Sequence, residues 1–473
     1  MKKICLLLAA LLLFACTSTF ADINDKCSIE IHAASVNMSS LTDYTFSTAI
    51  DMTDGDGFTV TWTDAVPLEC IYWEWLSIPQ SYQLTLKNEK GDTLATESRS
   101  NDIRFGCVYP SDGVYGIELR VVGQCQLTEL FAYKDGEVPK KAIVWEDPVD
   151  KADILIVRAH GNDDMWMLGG IVPTYAGERG YSVQILDLAC DTIGRQRKSL
   201  PGTYLNGMTH YPVFLGFVGL HTYSYSSILE AWEADERDPV EQVVEQIRRF
   251  RPEVIVTHSI DGDYDGTHKL VAEIVNEAYV AAADPAQYTA SAQEYGVWQV
   301  KKVYFHLYQD NPITLDFDVP LSAFDGKTAF EMAQLGYQCW DPNAASSGLR
   351  SIRNREYDMS KYGLAFSTVG ADIECNDLLE NLPLECLSDF VPTPSPEPTF
   401  TPEPTSEPTI IPTSEPVQTA APANEPVQQN EISEPTQGNN TQTYLWIGCG
   451  VAVILTVVGS FVFGRNRSHK KER

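Results

Sequence analysis

The middle of the chain carries the pattern that most restricts its fold. A largely apolar run at 152–157 is followed by a helix-like segment and a second strand-like run at 181–186. Further along, an amphipathic segment at 240–249 leads into another apolar run at 253–258. Apolar strands that alternate with helices are typical of a sheet covered on both faces. The sequence therefore predicts an α/β domain with a parallel sheet over residues 141–388.

Residues 22–140 show a different pattern. Short runs of alternating polar and apolar residues, as at 57–62, 82–86 and 116–121, are bounded by Gly, Asp and Asn. A period of two indicates strands, and several of them at regular spacing predict a small β-sandwich domain. Such a domain either binds carbohydrate or serves as a spacer. Three aromatic residues could stack on sugar rings or pack in the core: Tyr72, Trp73 and Trp75.

Both ends of the chain carry membrane-related signals. Residues 1–21 combine a positive start, a short apolar run and small residues at the end, which predicts a signal peptide that is removed. Residues 389–443 are rich in Pro, Thr, Ser and Glu and predict a disordered stalk. The uncharged stretch 444–464 is long enough for a transmembrane helix, and the basic residues in 465–473 place the tail inside the cell. We therefore expect a single-pass protein of the cell membrane with an N-terminal ectodomain.

Charge and cysteine content narrow the class further. The net charge of −31 argues against a nucleic-acid partner, because phosphates would be repelled. Of the 11 cysteines, Cys5 and Cys16 leave with the signal peptide and Cys449 lies in the predicted membrane helix. The others would remain outside the cell: Cys27, Cys70, Cys107, Cys125, Cys190, Cys339, Cys375 and Cys386. Their even number in an oxidising compartment predicts disulfides, with pairing among the first four and between Cys375 and Cys386 as the simplest arrangement.

Polar residues follow two of the predicted buried strands. The loop after the first strand holds His160, Asn162, Asp163 and Asp164, and the loop after the 253–257 run holds His258, Asp261, Asp263, Asp265 and His268. Carboxyl ends of parallel strands meet at one edge of the sheet, where ligands bind. Histidine with carboxylate is a common ligand set of catalytic zinc. Either loop alone could be a solvated turn, but together they predict a metal site.

The order and spacing of these motifs resemble the PIG-L / LmbE-like deacetylase family over residues 142–381. That family opens a Rossmann-like domain with a strand ending in Ala-His-Pro-Asp-Asp-Glu, followed shortly by Gly-Gly. Here 159–164 and 169–170 stand at the matching spacing. The family's later Thr-His strand end and its His-Pro-x-His motif are matched in part by 257–258 and 262–268. The resemblance implies a zinc-dependent hydrolase that removes acetyl groups from N-acetylglucosamine-type amino sugars.

The resemblance also implies roles for individual residues. It implies one Zn²⁺ per chain, bound by three residues: His160, Asp163 and His268. Residues that could contact the sugar or line the pocket are Arg195, Arg197 and His258. The two arginines are explained equally well as ordinary surface residues.

Two catalytic positions depart from the family's pattern. The position of the general base holds Asn162, which cannot take a proton from water, and the position of an oxyanion-stabilising histidine holds Asp265. Asp164 could replace the base through a shifted loop. With a gap in the motif, Asp163 would instead be the base and Asp164 the ligand, although this spoils the spacing to 169–170. Loss of a general base costs about two to four orders of magnitude in rate.

Three functions follow from these observations. The first is a surface-anchored deacetylase whose substrate is an N-acetylated amino-sugar glycoconjugate. The second is a catalytically impaired member of the family that binds carbohydrate. The third is a structural surface protein in which both domains are spacers. The retained metal ligands favour the first function, because neither a binding module nor a spacer needs three of them.

Overall fold

A computed structural model describes residues 19–24, 27–64, 67–100, 103–220, 222–343 and 357–388. All of them belong to one compact unit, Met1–Ser395. The predicted stalk, membrane helix and tail lie outside the described residues, as does the predicted signal peptide up to residue 18. None of the helices in the described ranges is long and apolar enough to cross a membrane.

The N-terminal part consists of strands. Their bounds are β1 Thr19–Asn24, β2 Cys27–His32, β3 Ile50–Met52, β4 Gly57–Thr61, β5 Cys70–Ser77, β6 Ser81–Lys87, β7 Thr93–Ser100, β8 Phe105–Val108, β9 Gly116–Val122 and β10 Cys125–Tyr133. They form a six-stranded sheet in the order β1-β2-β4-β9-β6-β7 and a four-stranded sheet in the order β3-β10-β5-β8. All neighbouring strands run antiparallel. The predicted sandwich strands are confirmed.

Strand β5 shows how the sandwich is attached to the rest of the chain. Trp73 and Trp75 point into the core between the two sheets, whereas Tyr72 points to the opposite face and packs in a core shared with the α/β domain. All three aromatic side chains are at most 1% exposed. A strand covered on both faces has no side for a ligand, so packing, and not sugar stacking, is the role of these residues.

The rest of the described chain alternates strands and helices. The strands are β11 Ile154–Arg158, β12 Val183–Asp187, β13 Val213–Phe214, β14 Val254–Thr257, β15 Lys302–His306, β16 Pro312–Thr314 and β17 Lys361–Ser367. The helices are α1 Ile193–Leu205, α2 Tyr225–Glu233, α3 Pro239–Phe250, α4 Gly266–Ala282, α5 Thr289–Tyr295 and α6 Ala329–Trp340. Shorter 3₁₀ or π turns are found at Met38–Leu41, Asp163–Met165, Pro173–Glu178, Ser322–Phe324 and Leu384–Cys386.

These strands form one seven-stranded sheet in the order β13-β12-β11-β14-β15-β17-β16. From β13 to β15 the neighbours are parallel, which confirms the predicted α/β core. The predicted parallel sheet is corrected at one edge, where β17 runs antiparallel to both β15 and β16. An antiparallel edge on an otherwise parallel sheet is common in large α/β domains.

The positions of the cysteines can be compared with the predicted disulfides. Cys375 and Cys386 are thiols in the structure, and the bond between them stays a prediction. Cys70 and Cys107 are also thiols, but their sulfur atoms are in contact at 3.2 Å.

Candidate metal centre

The fold brings the two polar loops together. Strands β11 and β14 are parallel neighbours, with Ile154 opposite Val254 and Ile156 opposite Val256. Both strands therefore end at the same edge of the sheet, and each continues directly into one of the loops. Gly161 permits a close approach to helix α1, because a Cβ atom there would lie 2.9 Å from Cβ of Ser199.

Asp163 lies at the centre of the cluster and is 2% exposed. Its Oδ2 accepts a hydrogen bond of 2.7 Å from the backbone N–H of His160. Nε2 of His258 is 3.1 Å from Oδ2, Nδ1 of His160 is 3.6 Å from Oδ2, and Nε2 of His268 is 3.5 Å from Oδ1. One carboxylate thus faces three imidazoles. We call these four residues the donor cluster.

His268 is held in place from behind. It lies in the first turn of α4, whose N-cap is Asp265, and its Nδ1 is 2.7 Å from Oδ2 of Asp263. Its ring also stacks on that of His258, with centroids 4.0 Å apart and planes 2° apart. A metal-binding histidine commonly donates its second N–H to a carboxylate, which fixes the ring and its tautomer. Asp263 is the carboxylate partner of His268, and this role was not predicted from the sequence.

The electrostatics of the cluster favour a cation. Burial alone would raise the pKa of Asp163, but His268 and His258 hold it well below the usual range. Burial alone would lower the pKa of His268, but Asp163 and Asp263 raise it to about 10. Burial and the charge of His268 lower the pKa of His258. The buried carboxylates therefore favour positive charge at the position of His268, and a metal ion bound there would also supply it.

Among the residues that the structure describes, two sets of three donors have ligand atoms within 4.8 Å of one another. One set is Asp163, His258 and His268, and the other is His160, Asp265 and His268. The predicted triad of His160, Asp163 and His268 is divided between these sets. Two imidazoles and one carboxylate are a donor set that fits Zn²⁺.

The tautomer of His258 decides which of two contacts its Nε2 makes. This nitrogen lies 3.0 Å from the backbone nitrogen of Ala159 and 3.1 Å from Oδ2 of Asp163. An unprotonated Nε2 accepts from the N–H of Ala159, whereas a protonated Nε2 donates to Asp163.

A cavity of about 550 Å³ opens over the donor cluster. Its wall includes five of the predicted residues: His160, Asn162, Asp163, Arg195 and Asp265. It also includes residues that the sequence did not single out: Lys198, Tyr223, Tyr264, Tyr337 and Trp340. A larger cavity of about 660 Å³ is lined mainly by apolar residues of the sandwich edge and α1, and it contains none of the donors. The polar cavity is therefore the candidate substrate site.

Asn162 and Asp265 reach the wall of this cavity from different loops, the first after β11 and the second after β14. Asp265 is 6% exposed, and its Oδ1 accepts a hydrogen bond of 2.8 Å from the N–H of Thr267. Asn162 is the N-cap of the short turn Asp163–Met165 and makes no capping hydrogen bond with its side chain. Its side chain instead forms a hydrogen bond with the side chain of Tyr337, another residue of the cavity wall.

The structure corrects the role considered for Asp164. This residue is fully buried and forms an ion pair with Arg158, and it accepts a hydrogen bond of 2.9 Å from Oγ1 of Thr203. Arg158 also pairs with Asp187 at 2.8 Å. In the short turn Asp163 faces the cavity, whereas Asp164 faces the packing beneath α1. Its position suits neither a replacement base nor an alternative metal ligand.

The two predicted arginines have different surroundings. Arg195 lines the cavity, where its Nη1 donates to Asp191 at 3.0 Å and to the carbonyl of Gly219 at 3.1 Å. Arg197 instead forms an ion pair with the fully buried Glu74 of the sandwich. Residues two apart on a helix point in different directions, so the predicted substrate contact of Arg197 is replaced by an interdomain one.

The fold and the site together define a class: an α/β protein with a buried histidine–carboxylate cluster, suited to one divalent metal, beneath an open polar cavity. No known protein-family model matches the chain. It is similar to 1D-myo-inositol 2-acetamido-2-deoxy-alpha-D-glucopyranoside deacetylase 1 of Catenulispora acidiphila, with 29% identity over 202 residues, 37% of this chain and 60% of that protein. The deacetylase of the same name from Thermobispora bispora is 28% identical over 181 residues, 32% of this chain and 57% of that protein.

The chain thus spans less than two thirds of these curated relatives. Among solved structures, N,N'-diacetylchitobiose deacetylase from Pyrococcus horikoshii matches 43% of this chain and 78% of its own, with 13% identity and a TM-score of 0.32. The conserved protein TT1542 from Thermus thermophilus matches 42% of this chain and 84% of its own, with 17% identity and a TM-score of 0.31.

Proposed function

We propose that the chain is a metal-dependent hydrolase that removes the acetyl group from an N-acetylglucosamine-type amino sugar. The observation that carries this proposal is the convergence of Asp163, His258 and His268 beneath the polar cavity. The similarity to two deacetylases of acetylated amino sugars supports the choice of reaction. Amide hydrolysis requires an activated water, a group that takes its proton and a donor for the oxyanion.

The donor cluster would hold the metal. Asp163 and His268 are the central ligands, and His160 and His258 complete the set of candidates. A bound Zn²⁺ would supply a water of lowered pKa and polarise the acetyl carbonyl. Asp263 keeps the ring of His268 directed at the metal position through its 2.7 Å contact with Nδ1.

We further propose that Asp265 and Asn162 have exchanged the two remaining roles. Asp265 places a carboxylate at the cavity wall, where it accepts the proton of the attacking water. Asn162, also at the cavity wall, carries an amide N–H₂ that donates to the oxyanion. Asp265 stands at the position of the oxyanion-stabilising group but is chemically suited to act as the base. Asn162 stands at the position of the base but is chemically suited to donate to the oxyanion. The chain would thus keep one acceptor and one donor at the reacting carbonyl.

The remaining wall of the cavity fits a sugar. Tyr264 and Tyr337 present aromatic rings close to the donors, and Trp340 stands beside Lys198, whose Nζ lies 4.9 Å from the ring centroid. Aromatic faces pack on the apolar faces of sugar rings, while Arg195 and Lys198 can donate to hydroxyl or acidic substituents. Specificity for one glycoconjugate over another would depend on these residues.

The proposed place of action is the outer face of the cell membrane. The sequence signals at 1–21 and 444–464 support it. Protease treatment of intact cells, followed by detection of the 22–390 segment, tests this point. Resistance to the protease before lysis would contradict it.

Metal content and acetate release test the proposed function. We expect about one zinc per chain in the purified protein, loss of that zinc in His268→Ala, and acetate release from N-acetylglucosamine conjugates by the wild type but not by His268→Ala. His210→Ala is the matched control, because His210 lies on the surface beside Glu146 and Asp147. A wild-type protein that takes up no divalent metal when zinc is supplied would contradict the proposal.

A second candidate function is sugar binding without turnover. The observation that favours it is Asn162 at the position of the general base. Calorimetric binding of N-acetylated sugars together with no acetate release, in a protein loaded with zinc, would support this alternative. Absence of both metal and sugar binding would leave a structural surface protein.

A further inference from the structure

Two cysteines lie in contact on neighbouring strands of the sandwich. Strands β5 and β8 are antiparallel, with Tyr72 opposite Cys107. Cys70 lies two residues before Tyr72 on β5, so it is the diagonal neighbour of Cys107 on the same face of the sheet. Their Sγ atoms are 3.2 Å apart, and both are thiols. We call Cys70 and Cys107 the cysteine pair.

The cysteine pair lies at a weak place in the sheet. Strand β8 has only four residues and is the outermost strand in the order β3-β10-β5-β8. Within the described part of the chain, β5 is therefore the one strand that holds β8 by backbone hydrogen bonds. A short edge strand of this kind frays more easily than a central one.

The strands that carry the cysteine pair also contact the α/β domain. The face of β5 that carries Cys70 packs in the core shared with the α/β domain. Two residues beyond Cys107, the hydroxyl of Tyr109 donates a hydrogen bond of 2.7 Å to the carbonyl of Ala142. Glu74, also on β5, binds Arg197 of helix α1. A link between β5 and β8 would thus fix the sheet edge that contacts the α/β domain.

We propose that Cys70 and Cys107 form a structural disulfide that ties β8 to β5 at the interdomain contact. The thiolate of one cysteine attacks a small-molecule disulfide such as oxidised glutathione, forms a mixed disulfide and releases one thiol. The second cysteine then attacks the mixed disulfide, which forms the Cys70–Cys107 bond and releases the second thiol. Both cysteine protons pass to the released thiols, so the protein is oxidised by two electrons and the glutathione is reduced.

Peptide mapping tests the bond directly. The full chain is equilibrated in a glutathione redox buffer, unfolded without reductant, alkylated and digested. We expect the peptides of Cys70 and Cys107 to appear as one cross-linked species, which separates after reduction. Alkylation of both residues before reduction would overturn the proposal. A bond from either residue to Cys27, Cys125 or another cysteine would overturn it as well.

Thermal unfolding tests the structural role. We expect Cys107→Ser to lower the melting temperature of the oxidised protein by about 5–10 °C and to have little effect in the reduced protein. Cys339→Ser is the matched control, because Sγ of Cys339 contacts Leu335 of its own helix at 3.7 Å. Equal melting temperatures of oxidised wild type and Cys107→Ser would overturn the role in stability. The outcome is independent of the proposed deacetylation, since neither cysteine belongs to the donor cluster.

Discussion

Two buried groups of ionisable side chains in this chain differ in kind. In the donor cluster, Asp163 faces histidines, and a cavity of about 550 Å³ lies above it. In the second group, the interdomain cluster of Glu74, Glu129, Lys141 and Arg197, Glu74 faces a lysine and an arginine. Histidines can exchange a proton for a metal ion, whereas lysine and arginine cannot act as ligands while charged. The types of partner and the access from solvent, and not the burial of acidic residues alone, distinguish a candidate site from a structural contact.

The largest effect is expected in the cavity above the donor cluster. Asp265→Asn should lower the rate of acetate release by about two to four orders of magnitude, because the substituted amide cannot take a proton from water. Zinc content should stay near that of the wild type. Steady-state kinetics and elemental analysis of the same preparation check both statements.

Asp261→Asn is the control for this substitution. Asp261 lies in the same loop but is exposed to solvent. We expect its variant to keep the rate of the wild type. If Asp265→Asn keeps that rate too, another residue takes the proton and the exchange of roles with Asn162 is wrong.

The second largest effect distinguishes a residue of the interdomain cluster from a residue of the cavity above the donor cluster. Arg197→Met should lower the free energy of unfolding by about 2–4 kcal/mol, because it leaves the buried Glu74 with only Lys141 as a cationic partner. Arg195→Met should change stability by less than about 1 kcal/mol but should weaken substrate binding. Urea denaturation and the Michaelis constant, measured for both variants, check these outcomes. A loss of substrate affinity in Arg197→Met with unchanged stability would restore the contact expected from the sequence.

The two arginines show what sequence patterns can and cannot predict. The spacing of apolar residues predicted β11, β12, β14 and α3. A buried strand or helix has apolar residues at characteristic positions within one short segment, so the segment alone is enough to predict it. The direction in which Arg195 or Arg197 points depends on where the sandwich packs against α1. That packing involves Glu74, more than a hundred residues earlier in the chain, and leaves no local pattern.

The same argument applies within the site. The loops after β11 and β14 were predicted to meet, because parallel neighbours end at one edge of the sheet. Asp163 and Asp164 are adjacent acidic residues, and only the presence of Arg158 beneath the turn decides that the second one is structural. The aromatic wall of Tyr264, Tyr337 and Trp340 comes from separate elements. No spacing in the sequence could have assembled it.

A smaller effect is expected behind the metal position. Asp263→Asn should weaken zinc binding by about 10–100-fold, because Nδ1 of His268 loses its carboxylate partner. Competition with a zinc-binding chromophore measures this affinity, and the Asp261→Asn variant again serves as control. Unchanged affinity would mean that Asp263 only supports the turn, where its Oδ1 accepts from the N–H of Asp265 at 2.7 Å.

The smallest effect concerns Glu129 in the interdomain cluster and depends on pH. Neither of its side-chain oxygens has a hydrogen-bond partner among the described residues. Burial, followed by the negative charge of Glu74, raises the pKa of Glu129 to about 7. The folded state therefore keeps a proton that the unfolded state has already lost above its lower pKa. Stability from this group is fully present in acid and is lost as the pH rises towards 7.

Glu129→Gln tests this dependence of stability on pH, because glutamine resembles the protonated carboxyl group. We expect equal stability of variant and wild type near pH 4, and a gain of about 1 kcal/mol in the variant at pH 8. Glu89→Gln, at an exposed turn, should show no such dependence on pH. Thermal unfolding across this range checks the result. A gain that is the same at both values of pH would mean that Glu129 is ionised throughout, with its charge balanced by Lys141 and Arg197, and the interdomain cluster would then contain no group that titrates near neutrality.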